Sequence, residues 1–207
     1  MNWESPISTS FLTESSSKLK EILVDSESVF LVEERAGISF LVDLETSQTC
    51  KTLAQINLET TVHEYGGAAI AIRNGTIVAW DNNSKKVYVK DHSQMQIHVL
   101  SLTYNLPDTY SLEDVRFADF NIHPSLQYAA AIIEVHCENG VYNHVCVINL
   151  VTGSVDLVCK GSDFYASPRF SKNGTQLLWV SWENPDVNAS LIVDVMDKIS
   201  FMLWRLV

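Results

Sequence analysis

Basic residues are scarce in this 207-residue chain: 14 Lys and Arg stand against 25 Asp and Glu, a formal net charge of −11. No basic cluster interrupts that excess, so phosphate backbones and anionic membrane surfaces are repelled, and neither nucleic acid nor a membrane is an expected partner. The N-terminus, Met1-Asn-Trp-Glu-Ser-Pro-Ile-Ser, lacks a basic segment followed by an apolar one. The expected location is therefore the cytoplasm. Long apolar runs are missing too; Leu191-Ile-Val-Asp-Val and Ile199-Ser-Phe-Met-Leu-Trp are too short to span a bilayer. There are only four cysteines, Cys50, Cys137, Cys146 and Cys159, mostly inside apolar runs. Reduced, buried thiols are expected rather than disulfides.

The signatures of catalysis are absent as well. No G-x-S-x-G elbow occurs: Gly37-Ile-Ser39 runs into Phe40-Leu41, and Gly153-Ser154 and Gly161-Ser162 lack the spacing. There is no phosphate-binding loop and no dinucleotide fingerprint, and His63-Glu64 lacks the second His of a zincin helix. His136-Cys137 and His144-Val-Cys146 offer four soft ligands in one expected hairpin, but adjacent strand residues point to opposite faces. No metal, cofactor or catalytic residue is assigned.

What the chain does have is composition for a core, at 46% hydrophobic and 19% charged residues, and a repeat. Ser28-Val-Phe-Leu-Val, Thr76-Ile-Val-Ala-Trp, Gln127-Tyr-Ala-Ala-Ala-Ile and Gln176-Leu-Leu-Trp-Val-Ser recur at steps of 48, 51 and 49 residues. That is the length of a four-stranded blade, which cannot bury its faces alone and must stack on neighbours. The expected fold is all-β: a partial β-propeller of about four blades of antiparallel four-stranded sheets, the last blade incomplete. Its organisation is a Ser- and Thr-rich N-terminal arm over 1–21 with at most one helical turn, a propeller domain over 22–185 and a divergent tail over 186–207.

Strands are expected over 28–33, 39–44 and 49–53 in the first unit, and over 68–72, 76–80, 86–90 and 96–102 in the second. The third unit takes 116–120, 127–136, 143–150 and 154–160, and the fourth 165–171 and 175–182. Arg73-Asn74-Gly75 and Lys172-Asn-Gly174 supply hairpin turns, because Asn-Gly tolerates positive φ. Asn74-Gly-Thr, Asn82-Asn-Ser, Asn173-Gly-Thr and Asn188-Ala-Ser match the glycosylation pattern but are read as turns. The tail is expected to cover an edge strand or to pack badly.

In a propeller the first strand of each blade lies nearest the axis, so residues leading into it face the central channel. His63-Glu64-Tyr65-Gly66-Gly67 leads into the second blade. Glu64 can pair with an ammonium, Tyr65 can stack or donate a hydrogen bond, and the glycines let another backbone approach; alternatively His63 and Tyr65 pack between blades and the glycines form a bulge. In the fourth unit Arg169 can hold a carboxylate bidentately or join an Asp in a structural pair. His63, Glu64, Tyr65 and Arg169 are the candidate substrate-binding residues.

Three segments carry a resemblance: Trp3-Glu-Ser-Pro-Ile; Val62-His-Glu-Tyr-Gly-Gly-Ala; and Asp163-Phe-Tyr-Ala-Ser-Pro-Arg-Phe-Ser-Lys-Asn-Gly, followed by Leu178-Trp-Val-Ser-Trp-Glu-Asn-Pro. Over residues 3 to about 185 the chain resembles the N-terminal propeller of the prolyl oligopeptidase family of serine peptidases, in its acylaminoacyl-peptidase and dipeptidyl-peptidase-like branch. The resemblance implies a propeller that caps an α/β-hydrolase domain and restricts access to short peptides or peptide N-termini. None of that family's Ser, Asp and His catalytic residues can be placed on this chain, so the implied portion is inactive alone. The implied partners are peptide N-termini and a hydrolase domain or full-length peptidase. Where the family continues with Trp-Asp-Gly-x-x-Leu-Trp, this chain reads Asp186-Val-Asn-Ala-Ser190, which implies a truncated product, an alternative transcript or a mispredicted gene end. The rival expectation is a non-catalytic propeller scaffold or protein-binding module.

Overall fold

The fifty-residue period resolves into four sheets, antiparallel except for one short parallel pairing, in a computed structural model that describes residues 17–35, 38–45, 48–49, 56–94, 96–106, 114–183 and 192–197. The first blade holds β1 (Ser17–Asp25), β2 (Ser28–Arg35), β3 (Ile38–Asp43) and β4 (Gln48–Thr49), paired in that order. The second holds β5 (Ile70–Arg73), β6 (Thr76–Asp81), β7 (Lys86–Lys90) and β8 (His98–Val99). After β9 (Thr103–Asn105), the third runs through β10 (Asp114–Ile122), β11 (Tyr128–Cys137), β12 (Gly140–Asn149) and β13 (Ser154–Lys160). The fourth has β14 (Phe164–Phe170), β15 (Gln176–Trp182) and β16 (Ile192–Asp197).

First strands lie side by side in sequence, β1 on β5, β5 on β10 and β10 on β14, so the sheets are arranged about a common axis. The protein is an all-β, partial β-propeller. Blades stack because each sheet is apolar on both faces. In β11, Ala129, Ala131, Ile133 and Val135 pack toward the second blade's Val78 and Trp80, while Ala130 and Ile132 pack toward Tyr165, Leu177 and Trp179 of the fourth. Period-two alternation with both sides buried turns the sequence into the near-continuous run Ala129-Ala-Ala-Ile-Ile133.

Polar ties join the turns at one end of the stack. Asp25 accepts the amides of Asn74 (2.5 Å) and Gly75 (2.7 Å), Arg73 donates to the Ile122 carbonyl (3.2 Å), and His123 Nε2 lies 3.0 Å from the Gly174 oxygen. Each tie links one blade to the next.

Several boundaries differ from expectation. Strand β1 begins at Ser17, inside the segment read as an arm, because paired Lys18 and Lys20 against Glu34 let a polar stretch join the sheet. The expected strand 96–102 splits: only His98–Val99 pairs with β7, and β9 leaves to run parallel along β13 as a fifth strand of the third sheet. The tail, by contrast, does cover an edge as expected: Ile192–Asp197 adds β16 to the exposed side of β15, in a register from Gln176↔Asp197 to Ser181↔Ile192. The fourth blade thus has three strands among the described residues. Trp3, Cys50 and the Ala36-Gly37 turn lie outside them; Cys137, Cys146 and Cys159 are free thiols.

Candidate functional site

Between the first and second blades the chain makes a single 3-10 turn, Val62–Glu64, with two successive non-glycine residues in the left-handed region: His63 at φ 55° and Glu64 at φ 66°. Such residues cost on the order of 1–3 kcal/mol each and persist only where neighbours hold them. The neighbours at this turn come from the third and fourth blades. The His63 amide donates to Glu134 Oε2 (2.7 Å), and Arg116 Nη1 donates to the Thr61 carbonyl (3.2 Å). His63 Nε2 lies 3.0 Å from the Tyr165 carbonyl oxygen, and its ring meets Phe164 and Trp182 edge-on at 5.1 and 6.1 Å between centroids.

The turn commits His63 to packing and frees the next two side chains. The His63 ring is buried between blades, whereas the Glu64 side chain is 87% exposed and Tyr65 is 73% exposed. The glycines then bring the backbone close. At Gly66, φ is 91° and a Cβ would sit 2.7 Å from the Thr60 oxygen; at Gly67 a Cβ would sit 3.0 Å from Asp119 Oδ1.

Beneath the turn lies a charged network on β10 and β11. Glu134 is buried; burial pushes its carboxyl upward, but hydrogen bonds from His63 and His136 outweigh this and hold it at about 2. His136 Nε2 is 2.7 Å from Glu134 Oε1. Arg116 reaches Asp114 (2.9 Å), Glu134 (3.2 Å) and Glu64 (3.6 Å). Three carboxylates thus share one guanidinium.

Glu21 on β1 lies within electrostatic reach of Asp119 on β10 and of Arg169 on β14, which makes these three first-strand residues one axial group. Burial, with the Asp119 charge adding to it, raises Glu21 to about 7, and Arg169 offsets part of this. Tyr65 is also raised, first by burial and then by Asp119. Arg169 is exposed, and its Nη1 donates to the Pro168 carbonyl (2.7 Å). Asp119 itself sits in a bulge at φ 56°, where Oδ1 accepts the Ala68 amide (3.0 Å) and Oδ2 the Ser167 amide (3.2 Å).

Two cavities flank Glu64. One, of about 470 Å³, is walled by Lys20, Glu21, Glu59, Tyr65 and Gly67; the other, of about 390 Å³, by His63, Glu134, Asp163 and Phe164; Glu64 borders both. The sequence-expected residues thus divide: Glu64 and Tyr65 are displayed, His63 is a structural anchor between blades, and Arg169 belongs to the axial group with Glu21 and Asp119. Sequence reasoning misses Glu21, Arg116, Asp119 and Glu134. Glu134 has a signal, a carboxylate inside the apolar run Ile132-Ile-Glu-Val135; so does Asp119, which breaks the alternation of Phe117-Ala-Asp-Phe120.

No protein-family model matches the sequence. No curated protein matches it either. Solved structures do: a Mycobacterium tuberculosis puromycin-hydrolyzing peptidase superposes with a TM-score of 0.74 at 24% identity, over 94% of this chain and 31% of that one. A puromycin hydrolase gives 0.76 at 20% identity, over 94% and 32%. The tricorn protease gives 0.55 at 13% identity, over 87% and 18%. The chain shares its propeller fold with these proteins and spans about a third of the length of the first two.

Proposed function

We propose that the chain is the propeller portion of a cytoplasmic serine peptidase of the prolyl oligopeptidase family, in its acylaminoacyl-peptidase and dipeptidyl-peptidase-like branch. In this reading it binds and gates peptide N-termini and has no turnover of its own. The observation that carries it is Glu64, held out by a strained turn over a network with more carboxylates than cations, at the border of two cavities. Arg116 already serves Asp114 and Glu134, so its pull on exposed Glu64 is weak. An ammonium is the complementary ligand, with Tyr65 beside it and Arg169 available to a carboxylate or carbonyl further along the peptide.

Calorimetric titration of the chain with a short peptide and its N-acetylated form tests the proposal. The free amine should bind roughly three- to fivefold tighter, the factor that up to about 1 kcal/mol from an exposed ion pair supplies, and Glu64→Gln should erase the difference. Equal affinity for both forms would overturn it, as would turnover of acyl-amino-acid or dipeptidyl chromogenic substrates that a serine-directed inhibitor abolishes.

A second reading is favoured by the outward face of β1, where Leu19, Ile22 and Val24 are exposed at 71, 67 and 65%. In it the chain is a scaffold that docks a full-length peptidase or hydrolase domain through its open blade. Co-purification decides it: a folded monomer indifferent to such a peptidase removes this reading.

A further inference from the structure

The cavity that Glu64 shares with Phe164 joins charge to a particular kind of wall. Phe164 and Trp182 stack with centroids 5.4 Å apart and planes 15° from parallel, and the His63 ring meets both edge-on. Tyr65 tilts over His63 at 5.8 Å and stands mostly in solvent. Four aromatic rings, drawn from the turn before the second blade and from the fourth blade, are therefore clustered near an exposed carboxylate; of these, His63 and Phe164 line this cavity, and Trp182 packs against both of them. His63 adds a polar edge beneath the rings: its ring is almost wholly buried, with Nδ1 standing 3.6 Å from Glu134 Oε2.

Resting on the peptide-amine reading, we infer that this cavity selects an aromatic N-terminal residue, with the ring seated against Phe164, which His63 backs from behind, and the ammonium held by Glu64. The size agrees. About 390 Å³ is at the small end of ligand pockets, enough for one large residue and not for a folded chain segment. The wall agrees too, because rings favour offset-stacked and edge-on contact beyond what apolar area alone provides. Charge restricts the ligand in the same direction. Glu134, kept ionised by its hydrogen bonds, together with Glu64 and the neighbouring Asp163, leaves no place for a ligand phosphate or carboxylate at this end. The two recognition elements are separable, one reading the ring and the other the amine.

The test is a calorimetric comparison of three peptides on the full chain: Phe-Ala-Ala-amide, Ala-Ala-Ala-amide and N-acetyl-Phe-Ala-Ala-amide. The first should bind about tenfold tighter than the second, a preference of the size expected for one aromatic contact, and the third should bind roughly three- to fivefold more weakly than the first. Phe164→Ala should bring the Phe peptide down to the Ala peptide's affinity; Phe164→Leu, which keeps bulk, controls for misfolding and should also lose the preference. Equal affinity of the Phe and Ala peptides overturns the aromatic selection and leaves the amine reading standing. Binding of the acetylated peptide as tightly as the free one overturns the amine reading, and binding of none of the three overturns both.

Discussion

The third blade and the first are built from the same kind of strand, yet their surroundings differ. Ile133, in β11, has no exposed surface; Ile22, in β1, is 67% exposed. The third blade is sandwiched between the second and fourth, whereas among the described residues the first has a neighbour on one face only. Position in the stack, not strand chemistry, decides how much each residue stabilises. Polar groups follow the same rule. Glu134 in the third blade is surrounded by His63, His136 and Arg116 and held low, while Glu21 in the first faces Asp119 with only partial relief from Arg169 and is raised.

Substitutions can widen or erase that contrast. Ile133→Ala should have the largest effect, a loss of about 3–5 kcal/mol measured by chemical denaturation, since it opens a cavity where no side can collapse. Asp119→Ala should follow at about 2–3 kcal/mol, because the Ala68 and Ser167 amides lose their shared acceptor.

The two glutamates should respond to pH with opposite signs. Glu21 has a folded value of about 7, above the ordinary 4.5, so the native state holds its proton longer and stability falls as pH rises from about 4.5 to about 7. Glu21→Gln should therefore stabilise the protein at about pH 8, by about 1 kcal/mol once solvent screening is allowed for, and change nothing at about pH 4. Glu134 has a folded value of about 2, below the ordinary 4.5, so its contribution is present above about 4.5 and disappears as pH falls toward 2. Thermal melts from about pH 2 to about pH 8 read both limbs. The smallest effect is expected from Ile22→Ala, within about 0.5 kcal/mol, as for most exposed positions; a loss as large as that at Ile133 would mean that the open face of the first blade is covered in solution.

The strands of the middle blades are legible in the sequence because their signals are local. Lys86–Lys90 and Ser154–Lys160 coincide with expectation, and the Asn-Gly turns at Asn74 and Asn173 fall between paired strands. Beyond local range the signal weakens. β1 is hidden because five of its nine residues are polar and three of its four apolar ones, Leu19, Ile22 and Val24, face solvent, and its pairing rests on contacts such as Lys20 with Glu34. The move of β9 to the third sheet depends on Gly153, whose carbonyl accepts the Thr103 amide at 2.9 Å, a contact no window of sequence contains. At the site, Glu64 and Tyr65 are visible as a motif. The separation of His63 from them is not, since it follows from Glu134 and Tyr165, 71 and 102 residues away.

Asp119 gives the inner strands a property that no single blade has. Because one carboxylate receives amides from the second blade and the fourth, loosening at either side removes a restraint from the other. The Ala68 and Ser167 protons should consequently exchange with solvent as a coupled pair, and the seams on the two sides of the third blade should open in a concerted step instead of by independent gaping.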